Sequence, residues 1–159
     1  MTKKCKLVVG TPELRRPSNP NRPINSPVTG TPKFADFPAL KPRGKAFAGG
    51  PIYLREGKHR GPNNGYGFQH IWQEHFSAEV DPKEAELQVA TFVATILVVG
   101  SSIHYEGGIG SQVDRAVIWR HANGIAILEE RTDGQGSIIY TVVTAFKTGG
   151  PKGVLIGKL

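Results

Sequence analysis

Sulfur is nearly absent: one cysteine, Cys5, and one methionine, Met1, in 159 residues. A single cysteine excludes an internal disulfide and any zinc site built on cysteine pairs. Cys5 reads as a free thiol near a chain end. Long apolar runs are also missing. The longest lies within Phe92–Gly100, well short of the roughly 20 residues that a membrane-spanning helix needs, so no membrane span is expected. Near the start only Leu7, Val8 and Val9 are apolar together, too few for a signal-peptide core. No internal repeat is visible. Apolar residues make up 38% of the chain, enough for one core, and this length suggests one domain.

Proline and positive charge are concentrated at one end. Nine of the twelve prolines fall in residues 12–51. Residues 1–50 carry ten Lys and Arg against Glu13 and Asp36, a net of +8, whereas residues 51–159 carry ten against eleven acids, a net of −1. Proline fixes φ and removes a backbone donor, so it argues against regular helix or central strand. Residues 1–50 therefore read as a basic, proline-rich leader, largely disordered or draped over a domain spanning residues 51–159. A chain beginning near Gly49 is expected to fold. The leader's charge suits a solvated linker or a phosphate backbone held through counterion release.

Within the domain, Pro51–Arg55 alternates as a short strand, and Gly57–Gly67 (GKHRGPNNGYG) reads as a loop. Phe68–Phe76 has helical spacing. Asp81, Pro82 and Glu84 form a helix-start signal for a helix from Pro82 to about Val98. Arg115–Arg120, Gly124–Arg131 and Ser137–Phe146 read as strands, with Asn123-Gly124 as a hairpin turn and Val154–Ile156 as an added edge. The order predicts an α+β fold, with N-terminal helices packed on a twisted antiparallel sheet of about four strands.

Candidate chemistry clusters early in this domain. Lys58, His59 and Arg60 put cationic and titratable groups on one loop, useful beside a phosphate. On a helix, His70 and Glu74 share a face, whereas His70 and His75 point about 140° apart. One of the two histidines should then face a cleft and the other be exposed or packed. Period-2 alternation puts Tyr140, Val142, Thr144 and Phe146 on one face of the last long strand, where a Thr144 hydroxyl can meet a phosphate oxygen or simply suit the sheet.

Taken together, the GKH segment, Gly-Tyr-Gly-Phe-Gln-His-Ile over Gly65–Ile71 and the final TVVTAF strand resemble the barnase–EndoU–colicin–RelE nuclease superfamily. The likeness is greatest to nuclease domains of phage proteins and polymorphic toxins, including contact-dependent growth inhibition effectors, and spans roughly Ile52 to Lys147. The resemblance implies helices on a twisted antiparallel sheet, a cleft on the sheet face, and a metal-independent RNase often acting on tRNA. It implies His70 as principal catalytic histidine and Thr144 as strand hydroxyl, with Lys58 and His59 matching the loop motif. It further implies a delivered effector acting in the target-cell cytoplasm, with a cognate immunity protein. That partner is expected to be acidic and to cover Lys58–Arg60 and the His70 face.

Such cleavage needs a base for the 2′-OH, stabilisation of the phosphorane and an acid for the 5′-oxygen. The expected set is His70 and His59 as proton-transfer partners in either order, Lys58 or Arg60 on the phosphate, and Thr144 as a hydrogen-bond donor. Glu74 would orient His70; Tyr140, Arg120 and His121 are reserves; Trp72 and Phe146 are candidates for stacking on a base. No cofactor or metal is expected: WQEHF lacks the His-Glu-x-x-His spacing of a zinc helix. The rivals are an NAD-consuming toxin (ADP-ribosyltransferase or NAD glycohydrolase), although no Arg…Ser-Thr-Ser…Glu series is visible, and a non-catalytic RNA-binding module.

Overall fold

A computed structural model describes residues 19–42, 45–106, 115–151 and 153–159; Cys5 and the first part of the leader lie outside them. The strands are β1 (Pro23–Ile24), β2 (Lys33–Phe37), β3 (Gly50–Arg55), β4 (Lys58–Gly61), β5 (Asn64–Tyr66), β6 (Ser102–Glu106), β7 (Arg115–Arg120), β8 (Gly124–Thr132), β9 (Ile138–Phe146) and β10 (Val154–Lys158). The helices are α1 (Gly67–Ile71), continued by a π-helical turn over Trp72–Phe76, and α2 (Ala85–Ile96).

The expected architecture is overturned. In place of helices on a four-stranded antiparallel sheet, the described chain forms an eight-stranded mixed sheet, β1-β3-β9-β8-β7-β6-β10, with β2 also paired to β3. β4 and β5 form a separate hairpin. The β6–β9 meander is antiparallel, and β3 joins it parallel to β9, with Ile52 opposite Tyr140. A parallel pair needs a long crossover, and here that crossover carries the hairpin, both helices and the meander itself.

Residues 19–50 correct the leader reading where they are described. β2 and β1 pair antiparallel with successive halves of β3. Ile24, Phe34, Phe37 and Phe47 are buried in the main core, and Phe37 stacks on Tyr140 with ring centroids 4.1 Å apart. Proline is compatible with this because Pro23 begins an edge strand, where no ladder donor is required. Arg22 is a second anchor: its Nη2 lies 2.7 Å from Glu56 Oε1 and 2.7 Å from Glu86 Oε1. Glu56 is 1% exposed and also accepts from Gln69 Nε2 at 2.7 Å, so a carboxylate buried at the head of α1 is satisfied from both sides.

α2 starts three residues later than Pro82. Asp81 caps a turn instead, accepting from the Lys83 N–H at 2.8 Å. The helix packs Val89, Val93 and Ile96 into the core with Phe68, Ile71 and Trp72 from the first helical segment and Ile118, Ala126, Leu128 and Val142 from the sheet. Val117, Ile125 and Val143 are buried but lie outside that core, on the opposite sheet face.

A chain beginning at Gly49 lacks four of these core side chains and is expected not to fold. The finer test is Phe37→Ala, which should lose about 3–5 kcal/mol by large-to-small core substitution. Urea denaturation measures it; a midpoint equal to the parent's would show that the segment is merely draped.

Candidate active site

The glycine-rich stretch, expected as a loop, is the β4–β5 hairpin, with Lys58 opposite Tyr66 and His59 opposite Gly65. Gly65 has φ +146°, and a Cβ there would lie 2.3 Å from the Lys58 carbonyl oxygen and 2.8 Å from His70 Nδ1. Only glycine lets the hairpin close over the His70 ring. Gly67, at φ +79°, starts α1 where a Cβ would meet the Arg55 carbonyl oxygen at 2.7 Å. The Gly-Tyr-Gly-x-x-His spacing thus has a steric origin: it folds the hairpin back against the first turn of α1.

That closure brings His59 Nδ1 to 3.1 Å from His70 Nδ1, with the rings stacked at 27°. At this distance one Nδ1 donates and the other accepts, so the two rings hold opposite tautomers at that atom. His70 is 5% exposed. Burial lowers its pKa from the ordinary 6.5; Glu74 opposes this, and the His59 and His75 rings add to the lowering. Glu74 accepts a hydrogen bond from the Asn63 N–H at the hairpin tip.

The π-helical turn corrects the expected separation of the two helix histidines. The wider π-helical turn reduces the angle between the two side chains, and His70, Glu74 and His75 all line one cleft of about 530 Å³. His75 is more exposed, but one side of its ring lies against Phe146, with centroids 5.5 Å apart. Desolvation lowers its pKa too, again opposed by Glu74.

The sheet supplies the cleft floor through Arg115, Val117, Ile125, Ile127, Val143 and Thr144. Here β9 is bulged: Ile127 pairs with Thr144 but Leu128 with Val142, so Val143 is the extra residue. A bulge breaks the alternation of faces. Thr144 and Phe146 therefore join Val143 on the cleft face, while Tyr140 and Val142 stay in the core. Two floor donors are buried and make no hydrogen bond among the described residues: Thr144 Oγ1 and Arg115 Nε. A buried unpaired donor costs about 1–3 kcal/mol, and both side chains line a space open to a ligand.

Of the expected residues, the fold brings together His59, His70, Glu74, Thr144 and Phe146. Lys58 and Arg60 are exposed on the hairpin. Tyr140 is core: its hydroxyl donates to the Ala48 carbonyl at 2.5 Å, and burial, with Glu130 alongside, raises its pKa. Trp72 is likewise fully buried, its indole donating to the Val80 carbonyl at 3.2 Å. Arg120 and His121 line a different hollow. Arg115 was missed, though its alternation with Val117 and Trp119 along β7 was a usable signal. One ligand atom each from His59, His70 and Glu74 lie within 4.8 Å of one another, a donor set able to hold a divalent transition metal that helix spacing alone did not reveal.

No family model, curated protein or solved structure matches the chain.

The depressed His70 pKa carries a stability signature. Stability from the neutral ring is complete above the unfolded value of 6.5 and is lost as pH falls through the lower folded value. The melting temperature should therefore fall between about pH 7.5 and about pH 5.5, a window set by unperturbed histidine. It should fall less in His70→Gln, with a remainder from His75. Equal slopes for both proteins would place no buried neutral histidine at residue 70.

Proposed function

We propose that this protein is a ribonuclease that cleaves RNA by internal attack of the 2′-OH, with histidines moving the protons. The observation that carries the reading is one cleft in which buried His70, held by half-buried His59 on the hairpin, shares the lining with two buried donors unpartnered among the described residues, Arg115 Nε and Thr144 Oγ1. Donors fixed in a partly dry site are what a developing phosphorane needs. The motif resemblance to RNases supports the substrate class.

His70, kept neutral by burial, takes the 2′-OH proton. Its Nδ1 is engaged with His59, so Nε2 is the atom left for exchange. The 2′-oxygen attacks phosphorus, the bond to the 5′-oxygen breaks, and that oxygen takes a proton from a second histidine in its imidazolium form, which is left as neutral imidazole. In-line displacement sets acid and base on opposite sides of phosphorus. Nitrogens 3.1 Å apart act from one side, so His59 positions His70, and His75 supplies the leaving-group proton. Arg115 and Thr144 hold the phosphoryl oxygens, and Phe146 offers a ring to a base. The products are a 2′,3′-cyclic phosphate and a 5′-hydroxyl. Toxicity after delivery, tRNA as substrate and an acidic immunity partner belong to the same proposal, supported by the resemblance and by exposed Lys58 and Arg60 on the hairpin.

The set His59, His70 and Glu74 favours one second reading, a metal-activated water attacking phosphorus. Single-turnover cleavage of a short RNA separates the two. Full activity in EDTA is expected, with His70→Ala and His75→Ala each losing about 10²–10⁴-fold, the usual worth of a proton-transfer group. Loss in EDTA with rescue by one divalent ion establishes the metal reading instead. An unimpaired His75→Ala would return the second proton role to His59.

A further inference from the structure

Along β7 the side chains of Arg115, Val117 and Trp119 share one sheet face. The first two line the catalytic cleft. Trp119 pairs directly across from Ile125, another cleft residue, and opposed side chains on neighbouring strands touch. The indole therefore continues the cleft floor outward, past Ile125. Beyond it lies a second hollow of about 390 Å³ whose lining includes Ser102, Trp119, Arg120, His121, Asn123 and Lys158.

The chemistry of this hollow is uniform. No acid lines it. Arg120 and Lys158 are exposed, and neither forms an ion pair among the described residues. The Trp119 ring makes T-shaped contacts with His121, centroids 5.8 Å apart at 90°, and with His104 at 6.5 Å and 78°. Both imidazoles stand roughly perpendicular to the indole, so neither stacks parallel on it. Ser102 links the same corner, its hydroxyl donating to the Trp119 carbonyl at 3.2 Å and lying 3.1 Å from His104 Nε2. A supported aromatic face beside two unpaired cations is the arrangement that binds single-stranded nucleic acid, stacking a base and holding its phosphate.

We propose that Trp119, Arg120 and Lys158 form a subsite for a nucleotide flanking the scissile phosphate, its base against Trp119 and its phosphate on the two cations. The placement beside the catalytic cleft rests on the ribonuclease reading; the binding chemistry does not. This subsite gives Arg120 a role in holding the strand, away from the reacting atoms.

The test uses the full chain and an uncleavable probe, a 2′-deoxy tetranucleotide. The protein has two tryptophans, and Trp72 is fully buried, so a change in tryptophan emission on binding reports Trp119. Saturable quenching is expected, lost in Trp119→Phe because its fluorophore is gone. Anisotropy of a labelled tetranucleotide should show near-parent affinity for Trp119→Phe, which keeps a ring. Affinity should fall about tenfold or more for Trp119→Ala, and Arg120→Ala should bind with a shallower salt dependence. On cleavable RNA, Trp119→Ala should raise KM and leave kcat, unlike His70→Ala. Thermal melts confirm that each variant is folded. Binding of the tetranucleotide without quenching, and unchanged in Trp119→Ala, overturns the subsite while leaving cleavage to be judged by its own assay. Quenching and the Trp119 dependence in a protein that cleaves no RNA uphold the binding site and sink the ribonuclease reading.

Discussion

The contact between His59 and His70 sets the terms for the rest of the molecule. Two imidazole nitrogens 3.1 Å apart repel when both rings are charged, so the pair is stable only while it carries at most one extra proton. Burial of His70 pushes the same way. The hairpin must lie close enough for the contact to form, which requires glycine at position 65. The hairpin tip is then fastened by the Asn63 N–H on Glu74, one helical turn beyond His70. Each of these features is a local compromise, and each is held by neighbouring packing rather than by intrinsic preference.

That packing reaches back to the start of the described chain. Glu56, immediately before the hairpin, is buried and held by Arg22 on one side and Gln69 on the other. The Glu56 N–H donates to the Arg22 carbonyl and the Gly57 N–H to the Pro20 carbonyl. The proline-rich segment therefore clamps the base of the hairpin whose His59 meets His70. Two irregularities complete the cleft. The π-helical turn swings His75 towards His70, and the β9 bulge turns Thr144 and Phe146 to the open face. Both are local departures from regular geometry of the kind that recurs at functional sites.

These particulars explain what was readable beforehand. The Gly65–Ile71 motif was legible because its glycines answer a steric demand that any residue with a Cβ would violate. The three strands of the meander from Arg115 to Phe146 were legible because their apolar patterning is strong and their turns are marked. His70 and Thr144 were singled out as residue types, but the geometry around them was not legible. A π-helical turn has no periodic signature distinct from an α-helix over five residues. A bulge inserts one residue without altering composition, so the alternation through Val143 pointed the wrong way. The N-terminal strands were hidden for a related reason: β2 is itself irregular between Lys33 and Ala35, which spaces buried Phe34 and Phe37 three apart instead of two. Proline content then masked the aromatic anchors. With those strands unseen, the sheet was counted short and the fold misjudged.

The central claim is that the cleft moves protons to and from RNA oxygens and uses the RNA's own 2′-OH as nucleophile. The chemistry of the cut ends tests it most directly. A short RNA of defined sequence, incubated with the purified protein and resolved by mass, should yield a 2′,3′-cyclic phosphate on one fragment and a 5′-hydroxyl on the other. The same RNA with a single 2′-deoxy nucleotide at the cut should remain intact. Fragments ending in 3′-hydroxyl and 5′-phosphate, or cleavage that ignores the 2′-deoxy substitution, would contradict the account and assign the attack to water.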